Sequence, residues 1–125
     1  MSHNKFKDRN PFKHALDGLV WAVNTQKNYR IHLIFSFTAF ILGYVLRISQ
    51  TEWLIVILLI TIGLVLEAIN TSLEATTDAI TREYNEQIKI AKDVSAAAML
   101  TYSVGVIILA ILIYLPKLLA ELNFS

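Results

Sequence analysis

The sequence contains no cysteine, only two prolines and only four glycines in 125 residues. Without thiols there is no disulfide framework, cysteine nucleophile or thiolate metal site. The glycines are scattered, so the sequence has neither a phosphate-binding loop nor a dinucleotide-binding turn, and it has no H-E-x-x-H or G-x-S-x-G motif. The three histidines are far apart in the chain, and no basic and aromatic pattern indicates a nucleic-acid partner. These absences exclude the enzyme and binding classes that depend on those motifs.

Charged residues are also few, at 17% of the chain, whereas 55% of the residues are hydrophobic. A chain of this length and composition is too apolar for a soluble domain and too short for two domains. We therefore predict a single-domain, all-α integral membrane protein. Its apolar stretches predict three transmembrane helices, at about 31–48, 52–80 and 93–115, and Pro116 is expected to end the third.

The segment before the first span predicts a helix that lies along the membrane surface, at about 10–28. Asn10 is the expected N-cap, and Pro11 fits the first helical position. Apolar residues then recur at helical spacing, at positions 12, 15, 16, 19, 20 and 23. A helix of this amphipathic kind buries its apolar face at the boundary between lipid headgroups and acyl chains.

The lysines and arginines are distributed unevenly between the two sides of the predicted spans. Arg47 and Lys117 fall on one side, and the other nine of the eleven precede the first span or lie between the second and third. Because cytoplasmic loops carry the excess of positive charge, we predict that the N-terminus and the loop at 81–93 are cytoplasmic. The second span then ends at the cytoplasmic face.

Four polar side chains lie in or directly after the apolar run of the second span: Glu67, Asn70, Glu74 and Asp78. Their spacing of 0, 3, 7 and 11 places them within about an 80° arc of one helix. Carboxylates are costly in hydrocarbon and usually line a bundle interior, a polar cavity or a site. One three-helix protomer offers little interior for three carboxyls, so self-association is expected.

Three functions fit such a stripe of carboxyls. Together with cytosolic basic residues, the carboxylates can hold a divalent cation and a phosphate, as a phosphotransferase requires. The stripe can also be the relay or filter of an ion or proton conductor. However, the outer half of the helix, from Leu54 to Leu66, has only Thr61 as a polar side chain, which favours a site open to one side. A nonenzymatic assembly subunit is the third alternative, although such a subunit does not require carboxyls aligned on one face of a helix.

Two longer motifs are similar to those of a known family. Residues 67–78 read E-A-I-N-T-S-L-E-A-T-T-D, and residues 91–98 read A-K-D-V-S-A-A-A. They resemble the E-x-x-N-[ST]-x-[IL]-E-x-x-x-D and A-K-D-x-x-[AS]-A-[AG] motifs of the prokaryotic diacylglycerol kinase and undecaprenol kinase family. The stretch from Asn28 to His32 and the pair Glu52-Trp53 resemble the branch that includes undecaprenol kinases.

This resemblance implies a multi-pass homotrimer in the prokaryotic inner membrane that transfers the γ-phosphoryl group of MgATP to a lipid hydroxyl, either undecaprenol or diacylglycerol. It implies that Glu67 is the general base, that Glu74 binds Mg²⁺, and that Asn70 and Asp78 support them. The residues that the resemblance places beside the nucleotide or its phosphates are Lys7, His14, Glu83, Tyr84, Asn85, Lys92 and Asp93.

Two positions depart from the family pattern. The enteric diacylglycerol kinase has a histidine at the position aligned with Asn85 and a metal-binding glutamate at the position aligned with Gln26. A glutamine carbonyl can bind a cation but brings no negative charge. The resemblance therefore implies Gln26 as a second metal ligand and predicts weaker metal binding unless another group compensates.

Overall fold

A computed structural model describes residues 10–123 of the chain. These residues form four α-helices: α1 (Pro11–Thr25), α2 (Lys27–Val45), α3 (Gln50–Ile80) and α4 (Glu86–Asn123). The predicted all-α class is therefore confirmed. α1 overlaps the predicted surface helix, and α2, α3 and α4 overlap the three predicted spans.

α1 and α2 are separated by a single residue, Gln26, whose backbone is extended. Asn10 caps the start of α1, since its side chain accepts a hydrogen bond from the Phe12 backbone N–H at 3.0 Å. At the other end of α1, the Arg30 guanidinium donates to the Asn24 carbonyl at 3.0 Å. A cation in this place satisfies a free carbonyl and is favoured by the helix dipole. Arg30 therefore fastens α1 to the first turn of α2.

The turn between α2 and α3 combines a helix stop with a helix start. Arg47, just after α2, is left-handed (φ 50°), and the Ile48 N–H donates to the Gly43 carbonyl at 3.1 Å, as in a Schellman motif. Ser49 then begins α3 through a reciprocal capping box with Glu52. The first predicted span therefore extends past the end of α2.

α4 begins before the third predicted span because Asn85 caps it. The Asn85 side chain accepts hydrogen bonds from the backbone N–H groups of Gln87 and Ile88 at 3.0 and 3.1 Å. The first two turns of α4 thus carry the charged residues Glu86, Lys89 and Lys92, and they continue directly into the apolar part of the helix.

α4 also continues through Pro116 to Asn123, so the expectation that Pro116 ends this helix is wrong. A proline removes one helical hydrogen bond, but most residues that follow Pro116 are good helix formers. In addition, the Lys117 ammonium lies 3.1 Å from the Glu52 carboxylate at the start of α3. This pair joins the segment around the proline to α3.

α3 packs against both α2 and α4, whereas α1 contacts mainly α2. A small apolar core forms near the α2–α3 turn from Ile48, Val56 and Ile113. Nearby, the Tyr114 hydroxyl donates to the Ala39 carbonyl at 2.8 Å and joins α4 to α2. The three long helices therefore form one bundle, with α1 attached at the end that carries Gln26.

Gly63 lets α4 approach α3 closely. Tyr102 of α4 donates its hydroxyl hydrogen to the Leu59 carbonyl of α3. Its ring atom Cζ lies 2.9 Å from the position that a Cβ atom on Gly63 would occupy. Small residues allow this close helix contact in membrane proteins.

Most large apolar side chains of the bundle are exposed in the single chain. Among residues 10–123, α3 and α4 are the two helices that are long and apolar enough to cross a membrane, and little of their apolar stretches is buried. An apolar surface of this extent requires lipid or another chain to cover it. These findings fit an all-α membrane protein, and a membrane crossing by α2 stays a prediction.

Candidate active site

One face of α3 contributes three polar side chains to a cavity of about 290 Å³ between α2, α3 and α4. These are Glu67, Asn70 and Glu74, which the sequence spacing placed on one helical stripe. The remaining lining residues come from the two flanking helices: Asn28, Ile31, His32, Ala96, Met99, Leu100 and Ser103. We call this space the polar cavity.

Glu67 is almost completely buried, with 3% of its surface exposed. A buried carboxylate is costly unless it has a hydrogen-bond donor or a cation nearby. The Nε2 atom of His32 in α2 lies 3.8 Å from Glu67 Oε2. In the described part of the chain, no other basic side chain comes within 4.0 Å of this carboxylate.

Asn70 lies between a donor on α4 and an acceptor on its own helix. The Ser95 hydroxyl donates to Asn70 Oδ1 at 2.6 Å. Asn70 Nδ2 in turn donates to Glu74 Oε1 at 3.3 Å. Because an ionised carboxylate only accepts hydrogen bonds, the amide nitrogen must face Glu74, and the amide oxygen then faces the Ser95 hydroxyl on α4.

Asp78, the fourth residue of the stripe, does not line the polar cavity. Its carboxylate lies 2.6 Å from the Lys92 ammonium, and the Asp93 carboxylate lies 2.6 Å from the Lys89 ammonium. These side chains are well exposed. Exposed ion pairs contribute little to stability. A phosphate can therefore replace the carboxylate beside a lysine, or a cation can replace the lysine, at a small cost in free energy.

The predicted nucleotide residues Glu83, Tyr84 and Asn85 form the exposed connection between α3 and α4. Tyr84 has 82% of its surface exposed, whereas the Asn85 side chain is occupied as the N-cap of α4. None of the three lines the polar cavity. Their nucleotide contacts stay a prediction.

The two remaining described positions also lie outside the polar cavity. His14 is exposed on α1, and the Gln26 side chain donates to the Thr25 hydroxyl at 3.1 Å between α1 and α2. Lys7 lies outside the described residues. A single chain therefore brings Glu67, Asn70 and Glu74 into one cavity, and the other predicted site residues within 10–123 lie outside it.

The described residues contain no group of three or more His, Asp or Glu side chains that is placed to hold a metal ion. Mg²⁺ commonly takes one or two protein carboxylates and completes its coordination with water and substrate phosphates. Glu74 can supply one such carboxylate, because its side chain lines the polar cavity and is oriented by Asn70. Gln26 is not part of this arrangement.

A second cavity, of about 500 Å³, runs between the same three helices and is largely apolar. It meets the polar cavity at Ile31, His32 and Ser103, which line both. Its far end is lined by Ile113 and Tyr114. We call this space the apolar groove; together the two spaces suit a molecule with a polar head and an apolar chain.

The sequence did not identify His32 and Ser95 as site residues. The Ser95 partner is 25 positions away in the chain and on another helix, and the His32 partner is also on another helix. Spacing rules report only neighbours along one helix. Ser95 lies within the motif at 91–98 and His32 ends the stretch from Asn28 to His32, but neither pattern shows which side chain on another helix its residue contacts.

Comparisons with known proteins relate the chain to one family. Residues 13–114 match the model of prokaryotic diacylglycerol kinases. The undecaprenol kinase of Bacillus subtilis is 36% identical over 107 residues, which are 86% of this chain and 87% of that protein. A diacylglycerol kinase of Synechocystis sp. is 31% identical over 110 residues, which are 87% of this chain and 63% of that protein.

Proposed function

This chain belongs to the prokaryotic diacylglycerol kinase family and is a lipid kinase, and we propose that it transfers the γ-phosphoryl group of MgATP to undecaprenol at the cytoplasmic face of the membrane. The observation that carries this proposal is the junction of the two cavities. A buried carboxylate, Glu67, lines the polar cavity, and the apolar groove begins at the residues that both spaces share. An acceptor with a hydroxyl head and a hydrocarbon chain fits this junction.

In the proposed reaction, the acceptor's hydroxyl oxygen forms a bond to the γ-phosphorus. The bond from the γ-phosphorus to the β–γ bridging oxygen breaks, and ADP leaves with that oxygen. Glu67 takes the hydroxyl proton as the general base. Glu67 has 3% of its surface exposed and lines the polar cavity, so a lipid headgroup bound in that cavity would exclude water from it and favour transfer to the lipid over hydrolysis of ATP.

Phosphoryl transfer depends mainly on positioning and on charge neutralisation. We assign Glu74 as the Mg²⁺ ligand and Asn70 as the residue that orients it, on the basis of their hydrogen bond. When bound, Mg²⁺ neutralises phosphate charge and aligns the transferred group. Lys92 and Asp93 are assigned to the phosphates and their neighbouring groups, and Asp78 is assigned to hold Lys92 through the ion pair between them.

We further propose that the protein is a homotrimer. Large apolar side chains remain exposed on α2, α3 and α4 in the single chain. Lipid and neighbouring protomers together can cover these surfaces. The residue composition of α4, with its small residues at 95–98, supports close contact between helices.

Undecaprenol is chosen over diacylglycerol as the acceptor because of two observations. The relative named undecaprenol kinase is the more similar of the two reported above, and the match covers more of its length. In addition, the stretch from Asn28 to His32, which contributes three residues to the polar cavity, resembles the undecaprenol kinase branch. Diacylglycerol is the alternative acceptor.

An ion or proton conductor is not favoured. From Leu54 to Leu66, α3 carries one polar side chain, Thr61, and its hydroxyl donates to the Ile57 carbonyl of the same helix at 2.9 Å. A hydroxyl engaged in this way does not continue a polar path across the bilayer. The polar cavity therefore serves a site that opens to one side.

The proposal is tested by measuring transfer from γ-labelled MgATP in purified protein reconstituted with either undecaprenol or diacylglycerol. We expect labelled undecaprenyl phosphate to form faster than labelled phosphatidic acid at equal lipid concentration. Faster labelling of diacylglycerol would overturn the choice of acceptor. An absence of transfer to both lipids by folded protein would contradict the assignment of MgATP and these acceptors.

A further inference from the structure

We infer that His32 is a positioning residue for Glu67: its imidazole N–H donates to the Glu67 carboxylate and holds the general base in the orientation that receives the acceptor's proton. This inference rests on the proposed function and deepens it. It adds to the site a residue of α2 for which the family resemblance implied no role. The supporting observations are the burial of Glu67, the place of His32 and the chemistry of a carboxylate that needs a donor.

The Glu67 carboxylate has little access to water, and His32 is the neighbouring side chain that can donate a hydrogen bond to it. The side chain of Glu67 is 4% exposed, whereas that of His32 is 25% exposed and lies on the neighbouring helix. The Glu67 oxygens reach solvent only through the polar cavity, and a neighbouring N–H donor offsets part of the hydration that such a carboxylate loses. Within residues 10–123, His32 is the one basic side chain close to this carboxylate.

The place of His32 is fixed by its surroundings. Its ring centroid lies 6.5 Å from that of Tyr102 on α4, with the planes inclined by 38°, which is within the range of aromatic contacts. Its backbone carbonyl accepts a hydrogen bond from the Ser36 hydroxyl at 2.7 Å. The ring therefore lies between Tyr102 and Glu67, at the junction of the polar cavity and the apolar groove.

The distance from His32 Nε2 to Glu67 Oε2 is 3.8 Å, which is longer than a direct hydrogen bond by about 1 Å. Catalytic hydrogen bonds are often long before the substrate binds and shorten in the reacting complex. A carboxylate has two oxygens, so one can accept from His32 while the other faces the acceptor's hydroxyl. Fixing the rotamer of Glu67 in this way lowers the entropic cost of reaching the reactive geometry.

The test compares the steady-state kinetics of His32→Ala, His32→Gln and His32→Asn with those of the wild type in the undecaprenol assay. Alanine removes the donor, glutamine supplies an N–H group at a similar reach, and asparagine supplies one that is too short. We expect His32→Ala and His32→Asn to lower kcat by about 10- to 100-fold, with the KM for each substrate changed little. We expect His32→Gln to keep kcat about tenfold above that of His32→Asn.

The comparison of glutamine with asparagine remains decisive if the alanine variant does not fold, because both are amides of similar polarity. Equal kcat values for the glutamine and asparagine variants would overturn the role of His32. An increase in the KM for the lipid with kcat unchanged would also overturn it, because it would make His32 a residue that binds the acceptor. If the wild type is active and the His32 variants match it, only the role of His32 is refuted. If the wild type is inactive, the proposed function is refuted together with this role.

Discussion

At the scale of single residues, the polar cavity depends on side chains from three helices that hold one another. Ser95 on α4 orients Asn70 on α3, and Asn70 orients Glu74 one turn further along the same helix. His32 on α2 faces Glu67. Asn70 therefore restricts the orientation of Glu74, and the inferred hydrogen bond from His32 would do the same for Glu67, which is what a site for proton transfer and metal binding requires.

The first prediction concerns the hydrogen bond from Ser95 to Asn70. Ser95→Ala removes the donor and leaves the amide free to turn, so we expect lower kcat and a loss of folding stability of about 1 kcal/mol. Thermal unfolding in detergent and the lipid phosphorylation assay measure the two effects. Ser95→Thr is the matched control, because it keeps the hydroxyl and should retain activity. Wild-type kinetics in Ser95→Ala would show that the hydrogen bond from Ser95 to Asn70 does not affect catalysis.

The second prediction concerns Gln26, which takes the place of a carboxylate in the family pattern. If Gln26 approaches the metal in the working enzyme, Gln26→Glu adds a negative oxygen ligand and should lower the Mg²⁺ concentration that gives half-maximal activity. Gln26→Leu removes the carbonyl oxygen and should have the opposite effect. A Mg²⁺ titration that is unchanged in both variants would place Gln26 away from the metal.

At the scale of helices, the sequence spacing along α3 predicted correctly that Glu67, Asn70 and Glu74 share one face. It did not predict that Asp78 would lie outside the cavity, since the helical period reports direction but not where the neighbouring helices enclose it. Pro116 shows a similar limit. A proline is a strong local stop signal, but the continuation of α4 depends on contacts with other helices, such as the pair of Lys117 with Glu52.

The third prediction concerns the packing of α3 against α4 at Gly63. Gly63→Ala places a methyl group against the Tyr102 ring, so we expect destabilisation of about 1–3 kcal/mol from overpacking. Gly18→Ala is the control, because a Cβ atom there meets nothing within 4 Å and alanine favours the helix. Thermal unfolding in one detergent measures both. Equal stability of the two variants would mean that the Tyr102 side chain moves aside without a measurable loss of stability.

At the scale of the whole molecule, composition predicted a membrane protein with one helical domain, and the structure and the family agree with that class. Composition could not fix how many helices cross the bilayer. α3 and α4 meet the requirement of length and apolarity, whereas α2 begins with Lys27 and Arg30 and has a shorter uncharged stretch. Its crossing depends on whether these side chains extend to the headgroups.

The fourth prediction uses the absence of cysteine, because any engineered thiol is then unique. We introduce Lys13→Cys, Thr51→Cys or Arg82→Cys and treat intact cells with a thiol reagent that does not cross membranes. Thr51→Cys should be labelled in intact cells, and the other two should be labelled only after the membrane is opened. Labelling of Thr51→Cys and Arg82→Cys on one side would exclude a crossing by α3. Labelling of Lys13→Cys and Thr51→Cys on one side would exclude a crossing by α2.

The central claim is that Glu67 in the polar cavity is the general base of a lipid kinase, and Glu67→Gln tests it most directly. The control is Glu52→Gln, which changes a glutamate in the first turn of the same helix, where it pairs with Lys117. Both variants are purified, checked for the wild-type oligomer and assayed for phosphorylation of undecaprenol. The account predicts that Glu67→Gln loses about 10²- to 10⁴-fold in kcat while Glu52→Gln stays active. Full activity of folded Glu67→Gln would contradict it.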